Sequence, residues 1–472
     1  MKIVAEIVFL RFVPPNYKKM LSSATEAKIR SIFENTVMLH LPKSVTELTG
    51  GDLYGFEECL YRQLVACYTE TAEVVLNEVS KSGAFQSSQR NLAQSLGLGK
   101  LSLRYCSIQL RTGSWIKVEG LYARRAPAGY EGERQMLYLC WSVMEQASPA
   151  FYSLVCLFSV LCCSYDVAKQ VLGMQYVKVG FDRMRFLANR ISSQCIKNRS
   201  ELVLDQSENL NGKRVFISLD GGRTRIRDYL PELNKKGTHH KFKTPWKEPK
   251  MLVINILDKD GRNDRHALPI YDVAFGDDEV VEVLRQYLSD LHVEQADLVQ
   301  IAADGAPWIW NRTKPMLLAL GVRDEKIVET VDYYHAVENL HKAIAFIPLK
   351  SMDKHPNITQ TLKDMLWKGE IKKMVTKFRQ ICPAWDNQTC ETILGYFIRN
   401  EHRMNYQQVR QRNLPCGSGS MESAIRRVIC LRFKCPSSFW KLGNLEGMIF
   451  LRSVLLAKRW GIFIRNLARS PS

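Results

Sequence analysis

The chain has 472 residues, 46% of them hydrophobic, and a formal charge of +18 with an isoelectric point near 9.3. Length alone implies about three domains, and the apolar content excludes a disordered chain. So basic a balance calls for a polyanionic partner, nucleic acid or an anionic membrane surface.

Taken in chain order, Met1-Lys2-Ile3-Val4-Ala5-Glu6 lacks a charged region leading into a long apolar one. No secretory signal is read there, and a cytoplasmic, nucleoid-associated protein is expected. Phe56, Leu60, Leu64, Val74, Val75 and Val79 recur at helical spacing and predict a long helix over 52–81. Leu103 to Leu110 and Trp115 to Val118 form short alternating runs around Thr112-Gly113-Ser114, the pattern of a β-hairpin, followed by a loop at Arg124–Gly129. The longest apolar run, Phe151 to Cys163, is too short to span a bilayer and follows Pro149, so a buried helix is expected and no membrane partner. A helix over 164–172, Gly173 as a turn, and a basic helix over 178–196 resemble a helix-turn-helix whose Lys178, Arg183, Arg185 and Arg190 are placed to reach DNA, with plain helix packing as the alternative. The 13 cysteines are odd in number and include no Cys-x-x-Cys pair, which favours reduced, mostly buried thiols over a disulfide framework or a zinc ribbon.

From Lys213 the pattern changes. Strands are predicted at Val215–Leu219, Met251–Leu257, Pro269–Phe275, Leu298–Ala303 and Ile327–Val331, with an amphipathic helix starting near Asp277 and Asp278 that presents Val281, Leu284, Leu288 and Leu291 on one face. Three strands, a helix, a strand, a helix and a strand is the order of a ribonuclease H-like (RNase H-like) α/β domain, a mixed five-stranded sheet in which the first and fourth strands are neighbours. Residues 336–414 read as an all-α, basic insertion. The expected divisions are 1–140, mainly helical with a small hairpin; 141–205, DNA-binding; 210–335, the first part of the catalytic domain; 336–414, the insertion; and 415–472, a final helix and basic tail.

Three carboxylates stand at the edges of these elements: Asp220 after the first strand, Asp304 after the fourth, and Glu422 inside a helix opened by Gly417-Ser418-Gly419-Ser420. Phosphodiester chemistry uses two divalent cations about 4 Å apart, and hard cations take oxygen ligands, so convergent carboxylates suit two Mg2+ or Mn2+ ions. Arg223, Arg225 and Arg227 alternate and share one face of an extended segment suited to gripping a phosphate. The loop 235–250, with Lys241, Lys243 and Trp246, reads as phosphate-facing rather than as a His239-His240 metal site. Trp308 and Trp310 read as core residues, with stacking on an unpaired base as the alternative. Between Arg399 and Arg469, fourteen Lys or Arg, among them Arg426 and Arg427, face three acids, a balance suited to DNA.

Five motifs, in this order, resemble the insertion-sequence transposases of the ISKra type, relatives of the Mutator-like DDE enzymes. They are Ser218-Leu219-Asp220-Gly221-Gly222-Arg223-Thr224-Arg225-Ile226-Arg227, Thr244 to Lys250, Ala303-Asp304-Gly305-Ala306, Asp332-Tyr333-Tyr334-His335-Ala336, and Leu414 to Ala424. The resemblance covers about Lys100 to the C-terminus and leaves the first hundred residues without a counterpart. It implies that Asp220, Asp304 and Glu422 are a DDE triad binding metal, and that Asp332 and His335 match an Asp-x-x-His signature supporting the site. The implied partners are double-stranded DNA, as terminal inverted repeats and as target, and at least a second copy of the chain. Two other classes stay open: a metal-dependent nuclease without strand transfer, and a DNA-binding protein derived from a transposase but inactive.

Overall fold

The computed structural model describes residues 21–36, 49–382, 387–435 and 438–469, so the reading of residues 1–6 lies outside the described residues. The chain forms two compact units, Met1–Ile191 with Ile464–Ser472, and Ser192–Phe463.

In the first unit, the helix Gly50–Lys81 opens on a reciprocal cap: Thr49 accepts from the Asp52 amide at 3.3 Å, and the Asp52 carboxylate accepts from the Thr49 amide at 2.9 Å. The expected hairpin is present as β1 (Gly99–Gln109) and β2 (Trp115–Arg125), paired antiparallel. Ile108, Ile116, Val118 and Leu137 form its core, against Tyr68 and Leu76 of the long helix. The apolar run after Pro149 is a 13-residue helix, Pro149–Leu161, capped by Ser148, and among the described residues no helix is long and apolar enough to cross a membrane. Among the described residues, none of the thirteen cysteines is joined in a disulfide.

The predicted helix pair is present with a different turn. Gly173 lies inside the first helix, Tyr165–Met174, and the second starts at Phe181. The turn falls around Tyr176, at φ 57°, and Lys178 lies outside both helices because its amide donates to the Thr112 carbonyl at 2.8 Å. Ser164 starts the first helix by accepting from the Val167 amide at 3.1 Å, and no residue before Met174 interrupts it.

The second unit is built on a five-stranded mixed sheet of β3 (Arg214–Gly221), β8 (Lys250–Leu257), β9 (Ile270–Ala274), β10 (Leu298–Ala303) and β11 (Ile327–Val331). Between β3 and β8 the chain forms four short strands; the first continues the extended segment expected at Arg223–Arg227, and the last two fall in 235–250, expected as a loop. They are β4 (Thr224–Arg225), β5 (Asp228–Leu233), β6 (His240–Lys243) and β7 (Trp246–Lys247), paired β4 with β7 and β5 with β6. The main sheet runs β11-β10-β3-β8-β9, with β3, β10 and β11 mutually parallel and β8 and β9 antiparallel to their neighbours. Every residue of β10 is buried, as a central parallel strand covered on both faces requires.

The helix Asp277–Asp290 links β9 to β10 and buries Val280, Leu284, Tyr287 and Leu288, so Val280 rather than Val281 begins the apolar face. After β11, the described residues from Tyr333 to Gln411 form six α-helices and one 3-10 helix, with no strand, and make up the insertion. The helix Leu442–Leu456 then packs on β9. Beneath this edge lies a buried ionic network. Asp272 of β9 accepts from Arg199 at 3.1 Å and from the Tyr287 hydroxyl at 2.9 Å, while Arg199 also reaches Glu446 at 2.7 Å.

Candidate functional site

The register of the parallel strands aligns the first two acids. Ile217 of β3 pairs with Ile301 of β10, and Ile301 pairs with Glu329 of β11. Asp220, Asp304 and Asp332 each follow their paired residue by three positions, so they form a row across the carboxyl ends of three adjacent strands. The Asp332 amide donates to the Ala303 carbonyl at 2.8 Å, which extends the β10–β11 ladder to this row.

Burial pushes the Asp220 carboxyl up to about 6; the Gly221 amide, donating at 2.6 Å, opposes this, Asp304 adds repulsion, His335 pulls the value down, and Glu248 adds further repulsion. Three ionisable groups therefore act on the Asp220 carboxyl here. Asp304 accepts from the Ala306 amide at 3.0 Å through its side chain, and from the Trp310 indole at 2.9 Å through its carbonyl. Trp310 is buried under the Arg403 guanidinium, 4.6 Å from its ring centre, and Arg403 pairs with Glu329 at 3.2 Å. This places Trp310 in the core, holding the loop of Asp304. Trp308 lies beside Lys250, whose ammonium is 4.8 Å from its ring centre.

Both aspartates are followed by glycine for a reason of space. A Cβ on Gly221 would lie 1.9 Å from Glu248 Oε1, and one on Gly305 would lie 2.0 Å from a ring carbon of Tyr396. Glu248 thus lies against the backbone next to Asp220, and the insertion helix Gln388–Arg399 brings Tyr396 against the loop of Asp304. Neither residue stood out in the sequence. Glu248 sits among lysines in a segment read as loop, and Tyr396 is one aromatic residue in an amphipathic helix.

Glu422 arrives by a tethered path. The chain returning from the insertion is held by Arg214, which donates to the Arg412 carbonyl at 2.7 Å and the Asn413 carbonyl at 2.9 Å. Buried Gln300 donates to the Pro415 carbonyl at 2.8 Å, and the Tyr333 amide to the Cys416 carbonyl at 2.9 Å. Leu414 enters the core with Phe216 and Ala302. Asp332 completes the tether. One of its oxygens caps the helix Tyr333–Ile344, accepting from the Tyr334 amide at 2.7 Å and the His335 amide at 3.2 Å, and the other accepts from both the amide and the hydroxyl of Ser418. Ser418 is the N-cap of the short helix Gly419–Ile425, which carries exposed Glu422 in its first turn, packs against β3 and β8, and continues as a π-helical turn, Arg426–Cys430. Asp332 is only 3% exposed, so its carboxylate serves the junction between two helices. His335 is 45% exposed in its side chain, with Nδ1 3.8 Å from Glu338.

Removal of this carboxylate strips one helix of its cap, worth about 1 kcal/mol, and leaves buried Ser418 donors unpaired, worth roughly 1–3 kcal/mol. Asp332→Ala is therefore expected to lower stability by about 2–4 kcal/mol in urea unfolding. A loss under about 0.5 kcal/mol would show that the tether holds without it.

No comparison finds a match: family models, curated proteins and solved structures all give none for this chain. The site therefore rests on its own geometry. Asp304 and His335 each lie within electrostatic reach of Asp220, Asp332 stands in the same row, and Glu422 comes on a helix against β3 and β8. Among the described residues, no group of three or more His, Cys, Asp or Glu side chains is gathered to hold a metal ion.

The expected DNA-binding residues divide by environment. Arg183 is drawn into the first unit, donating to Gln109 at 3.0 Å and to the Glu145 carbonyl at 2.6 Å, while Arg185 is exposed beside Asp182 at 3.1 Å. Arg223 and Lys243 are exposed; Lys241 pairs with Glu232 at 3.0 Å. Arg225 and Arg227 lie over the rings of Trp246 and Phe242, at 4.8 and 4.5 Å. Arg426 is exposed, and Arg427 reaches the Tyr271 hydroxyl at 3.3 Å. Part of the basic excess after Arg399 serves the fold: Arg432, Arg452 and Arg459 are buried, and Arg459 binds Glu208 at 2.8 Å and the carbonyls of Pro269 and Leu268.

Proposed function

We propose that the chain is a DDE transposase whose RNase H-like unit cleaves DNA at the terminal inverted repeats of its element and joins the ends to target DNA. The observation that supports this reading best is the placement of Asp220 and Asp304 abreast at the carboxyl ends of two neighbouring parallel strands, the first and fourth of a sheet ordered 3-2-1-4-5. The delivery of Glu422 by a helix against β3 and β8, from beyond an all-helical insertion, belongs to the same reading.

The donor set suits hard divalent cations. Among the described residues neither Asp220 nor Asp304 is ion-paired, and their side-chain oxygens accept from the amides of Gly221 and Ala306. Oxygen donors of this kind take Mg2+ or Mn2+, with Asp220, Asp304 and Glu422 as the residues that would hold them. When bound, such ions activate the attacking oxygen and neutralise the leaving one. The chain itself contributes fixed carboxylates on rigid strand ends, a tethered helix for the third, and exposed arginines that hold the phosphate backbone. Joining two ends calls for at least two copies of the chain, and the reaction places the protein with the DNA of its cell.

Purified full-length protein incubated with Mg2+, pre-cut ends from the DNA flanking its gene and a supercoiled target plasmid is expected to give joined products. Failure to join pre-cut ends, by protein that cleaves the uncut flanking DNA, would favour a nuclease that does not transfer strands. End binding without cleavage would favour an inactive DNA-binding protein.

A further inference from the structure

The short strands between β3 and β8 build a second feature that the catalytic reading does not use. A cavity of about 300 Å³ opens beside β7, lined by Arg225, Trp246, Phe433, Lys434 and Phe439 among others. That size is at the lower end of small-molecule sites, about 300–1,000 Å³. Trp246 stays 47% exposed, although covering so large an apolar ring is favourable. The Arg225 guanidinium lies 4.8 Å and the Lys434 ammonium 5.7 Å from the centre of that ring, and among the described residues no acid lines the cavity. Phe439 continues the aromatic surface to Phe242, 6.0 Å away between ring centres.

The walls are fixed. The Thr224 hydroxyl donates to the Phe433 carbonyl at 2.8 Å, the Arg227 amide to the Trp440 carbonyl at 2.7 Å, and Ile226 forms a bridge with Trp440. A half-exposed aromatic ring flanked by two cations, with no carboxylate among the described lining residues, matches a planar ring attached to an anionic backbone, which describes a nucleotide. Arg225 is five residues beyond Asp220, so even a fully extended chain keeps their Cα atoms within about 18 Å of each other.

We propose that this cavity holds one unpaired base of the DNA strand near the phosphate that is cut, stacked on Trp246 with its backbone held by Arg225 and Lys434. The proposal rests on the reading of the unit as a DNA-cleaving enzyme, but its binding test is independent of cleavage. Full-length protein is titrated with a 15-nucleotide oligothymidine carrying one 2-aminopurine, and with a 15-base-pair duplex. Trp246→Ala is expected to weaken single-strand binding by about tenfold and to abolish the quenching of 2-aminopurine, while duplex affinity changes less than about twofold. Trp246→Phe is expected to keep most of the single-strand affinity. An unchanged urea midpoint shows that the fold persists in both variants.

Equal loss on both DNAs, or no loss on the single strand, would overturn the cavity even if wild-type protein cuts DNA. Selective loss on the single strand from a protein that cuts no DNA would support the cavity and sink the catalytic reading.

Discussion

Asp220→Asn is expected to end Mg2+-dependent strand cleavage and, at the same time, to make the metal-free protein more stable at neutral pH. On the proposed function Asp220 would hold a metal ion, and losing such a carboxylate removes several kcal/mol of transition-state stabilisation, so cleavage should fall by at least about a thousandfold. The stability gain comes from the same carboxyl. Burial, with repulsion from Asp304 and Glu248, pushes it from 3.8 up to about 6. Between those values the folded state binds more protons than the unfolded state, so stability falls as pH rises through that window. The penalty is absent below 3.8, complete above about 6, and on the order of 2–3 kcal/mol. Asparagine carries no such penalty. Urea unfolding in EDTA should therefore show the variant ahead of wild type at pH 7.5, with the gap closing toward pH 4. A variant that still cuts DNA, or that is less stable than wild type at pH 7.5, would contradict this account of Asp220.

Arg199→Met is expected to have the largest effect on stability, a loss of about 3–5 kcal/mol. Asp272 is fully buried; burial pushes its carboxyl up, and Arg199 beside it pulls it down. Without the guanidinium, Asp272 keeps only the Val273 amide at 2.7 Å and the Tyr287 hydroxyl, and a charge remains buried beside no cation. The carboxyl then takes up a proton more readily, so the loss should shrink as pH falls. Adding Asp272→Leu should recover much of the stability, because an apolar pair of similar volume avoids the desolvation that the ion pair has to offset. Chemical denaturation of the two variants and the wild type at pH 5 and pH 8 tests both points. A loss under about 1 kcal/mol for Arg199→Met would show that Asp272 is stable at this edge without its cation.

Much of the second unit was legible because its strands are short apolar runs that end in Asp or Gly, and such runs are local. Val215–Leu219, Leu298–Ala303 and Ile327–Val331 are strands in the structure within two residues of their expected limits, and β3 and β10 are neighbours as expected. Within 224–247 the alternation of Arg223, Arg225 and Arg227 marks an extended segment, but the strand pairs were not legible, because each strand is only two to six residues long and largely exposed, which leaves no apolar alternation to detect. The turn of the helix pair was misplaced for a related reason. Glycine is a weak stop signal inside a helix, and the amide of Lys178 is held by Thr112, a residue far away in sequence.

The chain by itself determined which residues are available for chemistry: two aspartates at the ends of buried strands, a glutamate opening a helix, and a large excess of cations. Only the tertiary structure decided how they meet. The parallel register sets Asp220, Asp304 and Asp332 in one row, Asp332 reaches Ser418 across 86 positions, and Thr224 meets Phe433 across 209 to close the aromatic cavity. The physical reason is that a strand or a cap is selected by neighbours a few residues apart. A shared row of carboxylates, a tether or a cavity wall instead depends on contacts between distant segments, and no local pattern encodes these.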